Sequence, residues 1–167
     1  MEKKFILFAV LTVLVGLNAS GQISFDNKLR SIYRNSVPLI NCAELKAHAT
    51  KNKEIILLDT RALEEYNVSH IKRAHFVEYK KFKKQWADSI NRHIPIVVYC
   101  TVGYRSERVG EKLIEMGFSN VRNLYGGIFE WVNKGNGVVD SMENPTPEVH
   151  TYNKNWSQWL SKGVVVY

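Results

Sequence analysis

The chain has 167 residues, enough for one domain with a core of its own and too few for several. Hydrophobic residues make up 45% and charged residues 23%, a globular balance that excludes disorder as the default state. The formal net charge is +7, but Lys and Arg are dispersed. Their densest cluster, EYKKFKKQW over residues 78–86, reads as a helix with a solvated basic face rather than a nucleic-acid stripe, and a basic surface favours small anions by steering.

The first residues form a separate object. MEKK precedes the uncharged run FILFAVLTVLVGL over residues 5–17, and NASGQ follows. Basic start, apolar stretch and small residues read as a secretory signal peptide, with the cut after Gly21. The run is 13 residues long, short of the roughly 20 that span a bilayer. An uncleaved anchor is the alternative. Export, to the periplasm or beyond the cell, permits disulfides. With only Cys42 and Cys100, though, this is not a cysteine-dense scaffold, and its core does not need a bridge.

Next, ISFDNKLRSIYRNS gives a short helix, with Ile23, Phe25, Leu29, Ile32 and Tyr33 near helical spacing. VPLI is a short strand, and NCAELKAHATK a helix with Asn41 as its cap. EIILLDTR is a strand whose apolar residues do not alternate, which suits burial on both faces. ALEEYNVS gives a turn or two of helix. A strand follows at residues 74–77, then a helix over KKFKKQWADSI. PIVVYC is a buried strand, SERVGEKLIEMGF an amphipathic helix ended by Gly117, NVRNLY a strand, and GGIFEWVNKG a turn and short helix. From residue 138 a polar, proline-marked loop leads to an aromatic tail whose Trp156, Trp159 and Leu160 have helical spacing and pack back on the domain. Strands alternating with helices imply an α/β fold, an open and mostly parallel sheet with helices on both faces. Such folds place sites beyond the carboxyl ends of the strands, where Asp59 and Cys100 fall. The domain plan is a signal peptide over 1–21, a helical segment over 22–36, the α/β domain over 37–137 and an extension over 138–167.

The stretch CTVGYRS, Cys100 to Ser106, puts a thiol in a loop between strand and helix. Gly103 supplies an unusual backbone angle. Loop amides and a helix start converge to bind an anion, and Arg105 adds a cation, so a sulfur held there is favoured as a thiolate. Ser106 is placed to cap the helix or donate to the sulfur. The competing reading is a buried cysteine acting as a small hydrophobe.

These residues resemble the rhodanese family of sulfurtransferases in its single-domain form. IILLDTRALEEYNVSHIKRAH resembles the family's first signature through Asp59, Arg61, Glu65, Tyr66, His70, Ile71 and Ala74. IVVYCTVGYRS resembles its active-site strand and loop, and the segment through GGIFEW its closing helix and strand; the likeness spans residues 37–135. Ser69, Lys72 and Arg73 depart from the usual glycine and Pro-Gly, and Thr101 and Val102 stand where thiosulfate-preferring members often carry basic residues.

The resemblance implies sulfur transfer through a persulfide on Cys100, with Thr101, Val102, Gly103, Tyr104, Arg105 and Ser106 binding the substrate. Arg105 receives a small anionic sulfur donor, thiosulfate or a persulfide or polysulfide, and a thiol or protein cysteine is the acceptor. Asp59 and Arg61 form a supporting ion pair, and His70 is a hydrogen-bonded anchor. No cofactor or metal is implied, since the five histidines lack ligand spacing. Neither nucleic acid nor, after cleavage, membrane insertion is expected. A non-catalytic docking or sulfur-sensing module is the alternative. A phosphatase would place its arginine six positions after the cysteine, where Ser106 stands.

Overall fold

Parallel strands bring the ends of two buried runs to the same edge of one sheet. The computed structural model describes residues 24–50, 54–82, 87 and 89–167. The signal segment and its cut lie outside the described residues. The chain divides into two compact units, Met1–Ile32 and Tyr33–Tyr167. In the first, residues 24–32 form helix α1.

In the second unit the elements alternate as expected. Strand β1 (Leu39–Ile40) leads to α2 (Cys42–Thr50), then β2 (Ile56–Asp59), α3 (Leu63–Val68), β3 (His75–Phe76), β4 (Ile96–Tyr99), α4 (Tyr104–Glu115), β5 (Val121–Leu124) and α5 (Gly127–Asn133). The five strands form one sheet in the order β1-β5-β4-β2-β3, and every neighbouring pair is parallel. The helix expected over KKFKKQWADSI is a 3-10 turn at Tyr79–Lys81; residues 83–86 and 88 of that stretch lie outside the described set. α2 opens on a reciprocal cap: Glu44 N donates to Asn41 Oδ1, and Asn41 N to a Glu44 carboxylate oxygen.

All four residues of β4 are buried, as are three of the four in β2, so both strands are covered on both faces. Leu58, Ile96, Val98, Val109, Leu113 and Phe118 share one apolar cluster, each contributing about 1.5–3 kcal/mol by leaving water. The register pairs Leu58 with Val98 and Asp59 with Tyr99. Thr60 and Cys100 therefore leave the sheet side by side, and Thr60 N donates to Tyr99 O at 2.9 Å. That alignment sets two loops against each other at the carboxyl edge.

The remaining chain contains more strand than its sequence suggests. β6 (Val138–Val139) pairs antiparallel with β7 (Pro145–Thr146), and β8 (Glu148–His150) pairs parallel with β9 (Val164–Val166). His70 and Val139 exchange backbone bonds of 2.8 and 2.9 Å. A short helix, α6 (Lys154–Ser157), begins at Asn153, whose side chain accepts from Asn155 N and Trp156 N. Asn133 holds the tail, donating to Trp159 O at 2.9 Å and accepting from Ser161 N at 2.7 Å.

Candidate active site

Cys100 follows β4 directly, and only 1% of its surface is exposed. Four successive carbonyls after the strand are held from outside the loop. Cys100 O accepts from Ile128 N at 2.9 Å and Thr101 O from Phe129 N at 3.2 Å. Val102 O accepts from the Tyr33 hydroxyl at 2.6 Å, and Gly103 O from Asn123 Nδ2 at 2.9 Å. In a planar trans peptide the N–H points opposite to the carbonyl. Holding the carbonyls outward therefore turns the intervening amides toward the centre of the loop. One of them, Gly103 N, donates to Cys100 Sγ at 3.2 Å. The thiol is enclosed, yet it faces an amide rather than apolar neighbours alone.

Two glycines make this clamp possible. Gly103 has φ +99, and a Cβ there would lie 2.1 Å from the Tyr33 hydroxyl oxygen. Gly127 has φ +57, and its Cβ would lie 2.3 Å from Cys100 O. Only glycine tolerates that backbone at that distance. The first amides of α5, which a helix leaves unpaired, thus bond the loop from behind. Tyr33 also accepts from Gly126 N at 3.0 Å. Burial pushes its phenol up, and the neighbouring Cys100 adds to this against the Gly126 bond; it remains a proton donor to Val102 O.

Helix α4 starts at Tyr104, earlier than the expected start at Ser106, because left-handed Gly103 completes the turn. Arg105 and Ser106 therefore sit in the first helical turn. Ser106 neither caps the helix nor donates to sulfur. Its hydroxyl, fully buried, donates to Asn123 Oδ1 at 2.7 Å, so it holds the residue that holds the loop.

Arg105 is committed to a carboxylate. Its two terminal nitrogens donate to the two oxygens of Glu65, both at 2.7 Å, and one also donates to the Thr101 hydroxyl at 2.8 Å. Thr101 in turn donates to Glu65 at 2.9 Å. The ring of Tyr152 lies 5.3 Å from the guanidinium carbon. Burial would raise the Glu65 carboxyl, but the Arg105 bonds and charge, with the Ala62 amide, hold it down at about 2. Burial pulls Arg105 the other way, yet Glu65 and the Cys100 sulfur keep it above its ordinary value.

Among the supporting residues, Arg61 Nη2 meets Asp59 at 2.7 Å with both side chains fully buried, and also donates to Ser69 O. His70 stacks on Tyr66 with ring centroids 3.9 Å apart, and its ring nitrogens lie 3.1 Å from Tyr66 O and from Glu143 Oε1. Val102 is buried, while Tyr104 is 45% exposed. The other cysteine, Cys42, is free like Cys100. It lines a cleft of about 440 Å³ with Glu130 and Lys134, and burial there pushes its thiol up to about 11. Sequence reasoning gave no role to Glu65, Tyr33, Asn123 or the Gly126–Gly127 pair. Glu65 and the glycines stood within the quoted motifs; Tyr33 carried no local signal.

A rhodanese-like domain family model matches residues 41–134. Thiosulfate sulfurtransferase GlpE of Coxiella burnetii is 31% identical over 81 residues, covering 48% of this chain and 75% of that protein. Among solved structures, a rhodanese-related protein from Thermoplasma volcanium aligns with a TM-score of 0.54 at 26% identity, over 61% of this chain and 97% of its own. A thiosulfate sulfurtransferase from Pseudomonas aeruginosa shares the fold, with a TM-score of 0.58 at 23% identity, over 62% of this chain and 20% of that one.

Proposed function

We propose that this chain, which belongs to the rhodanese-like domain family, is a sulfurtransferase that carries a sulfane sulfur on Cys100. The cradle supports this reading most directly: four carbonyls drawn outward, and an amide hydrogen bond to Sγ. Such an arrangement stabilises negative charge on sulfur, whether as attacking thiolate or as persulfide. In the first step the Cys100 thiolate attacks the outer sulfur of the donor. A new S–S bond forms, and the donor's bond to that sulfur breaks with its electron pair on the leaving group. In the second, a thiol, a protein cysteine or cyanide attacks the outer sulfur and releases the Cys100 thiolate. Thiosulfate, persulfides and polysulfides are the donor classes. The N-terminal apolar run supports export, which would place the reaction in the periplasm or outside the cell.

Incubating reduced protein with donor and cyanide tests the reading. Thiocyanate is expected, and Cys100→Ser should lower its formation by at least about a thousandfold, the scale on which loss of a nucleophile acts. Cys42→Ser should retain it. No thiocyanate from thiosulfate, persulfide or polysulfide would leave a non-catalytic docking module as the better account.

A further inference from the structure

We infer that Glu65 sets the charge selectivity of the site: by pairing with Arg105 it withdraws the loop's cation from incoming ligand, so the donor is a small organic hydropersulfide rather than the thiosulfate dianion. The inference rests on the sulfur-transfer reading and narrows it. It replaces the small anion docking on Arg105 that the sequence suggests.

Arg105 is the one cation in the stretch 100–106. Both of its terminal nitrogens are bound by the Glu65 oxygens, and only 19% of the side chain is exposed. Glu65 itself is 2% exposed, so water screens the pair weakly. Next to it, Asp59 and Arg61 compensate each other. With the pair neutral as a unit, a Cys100 thiolate leaves the cradle one charge negative. A dianion entering there is repelled by that charge, and its sulfite leaving group is a dianion too. A hydropersulfide carries at most one charge and leaves as a thiolate. The loop is also flanked by Tyr104 and Tyr152, residues 45% and 56% exposed, whose aromatic side chains suit an organic substituent better than a sulfonate. The chain's charge of +7 attracts anions from a distance, but Arg105, whose charge reaches the Cys100 sulfur, is offset there by Glu65.

The step balances without a further reagent. The Cys100 thiolate and R–S–SH give Cys100–S–SH and R–S⁻. One S–S bond forms, one breaks, the proton stays on the transferred sulfur, and the electron pair leaves with the thiolate.

The test compares kcat/KM for thiosulfate and 2-hydroxyethyl hydropersulfide, with cyanide as the common acceptor. In the parent chain the hydropersulfide should lead by about tenfold or more, and Glu65→Gln, which keeps the shape but removes the charge, should raise the thiosulfate-to-hydropersulfide ratio about tenfold. The double variant Glu65→Gln/Arg105→Gln, which removes both charges of the pair, should lower both donors together and leave the ratio within about threefold of the parent's, since the pair carries no net charge. Should Glu65→Gln fail to fold by circular dichroism, the ratio in the double variant decides. Preference for thiosulfate in the parent, an unmoved ratio in Glu65→Gln, or a loss confined to thiosulfate in the double variant overturns the inference. If neither donor supports thiocyanate formation in the parent, the sulfur-transfer reading itself falls, and this inference with it.

Discussion

Four donors converge on the Glu65 carboxylate: Ala62 N, the Thr101 hydroxyl and both terminal nitrogens of Arg105. A buried carboxylate so fully bonded stabilises the fold only while it is ionised. Its pKa falls from 4.5 to about 2 on folding. The unfolded chain therefore takes up the proton first as pH drops. Stability from this group is fully present above pH 4.5, declines below it, and is gone near pH 2. The amount at stake is about 3 kcal/mol. Urea unfolding of the parent should weaken by about that much across this window, and Glu65→Gln should lack that component. Equal acid sensitivity in both proteins would mean that the pair does not hold the loop to α3.

At the scale of elements, the loop is shaped by its neighbours more than by its own sequence. α5 reaches Cys100 O and Thr101 O through its first amides, and the approach is closed to any residue larger than glycine at position 127. Gly127→Ala should cost about 2 kcal/mol or more, since both the left-handed backbone and the contact must give. It should also slow sulfur transfer, because displacing α5 releases two of the four outward-held carbonyls. Unchanged stability in urea would show that the contact yields freely. These dependencies explain what the sequence makes legible. β2 and β4 are readable because burial on both faces leaves unbroken apolar runs, and the loop is readable because Cys100, Gly103 and Arg105 are close in the chain. Tyr33 is not, since its hydroxyl acts 69 and 93 residues away. Nor is the early start of α4, which depends on Gly103 as a left-handed cap. The pairing of Arg105 with Glu65 is hidden for the same reason: the partner lies 40 residues upstream. β6 to β9 are each two or three residues long, too short for alternation to show.

Across the whole molecule, the two cysteines divide the possible chemistry. Cys42 lines a cleft beside Glu130, where burial and that carboxylate push its thiol up and keep it protonated, whereas Cys100 meets an amide. The tail after α5 belongs to the same unit as the sheet, reaching the site through the Tyr152 ring over Arg105 and the Val139 bridge to His70. The N-terminal apolar run supports an exported protein that begins at Gln22 after cleavage. N-terminal sequencing of protein recovered outside the cytoplasm should read Gln22 first, and recovery only from the cytoplasm with Met1 intact would refute export. The most direct test of the central claim is the mass of the reduced protein after exposure to a sulfane donor, followed by peptide mapping. One added sulfur atom on the Cys100 peptide, none on the Cys42 peptide, and its removal by cyanide is the expected result. A chain that takes up no sulfur, or takes it up on Cys42 instead, would contradict the account.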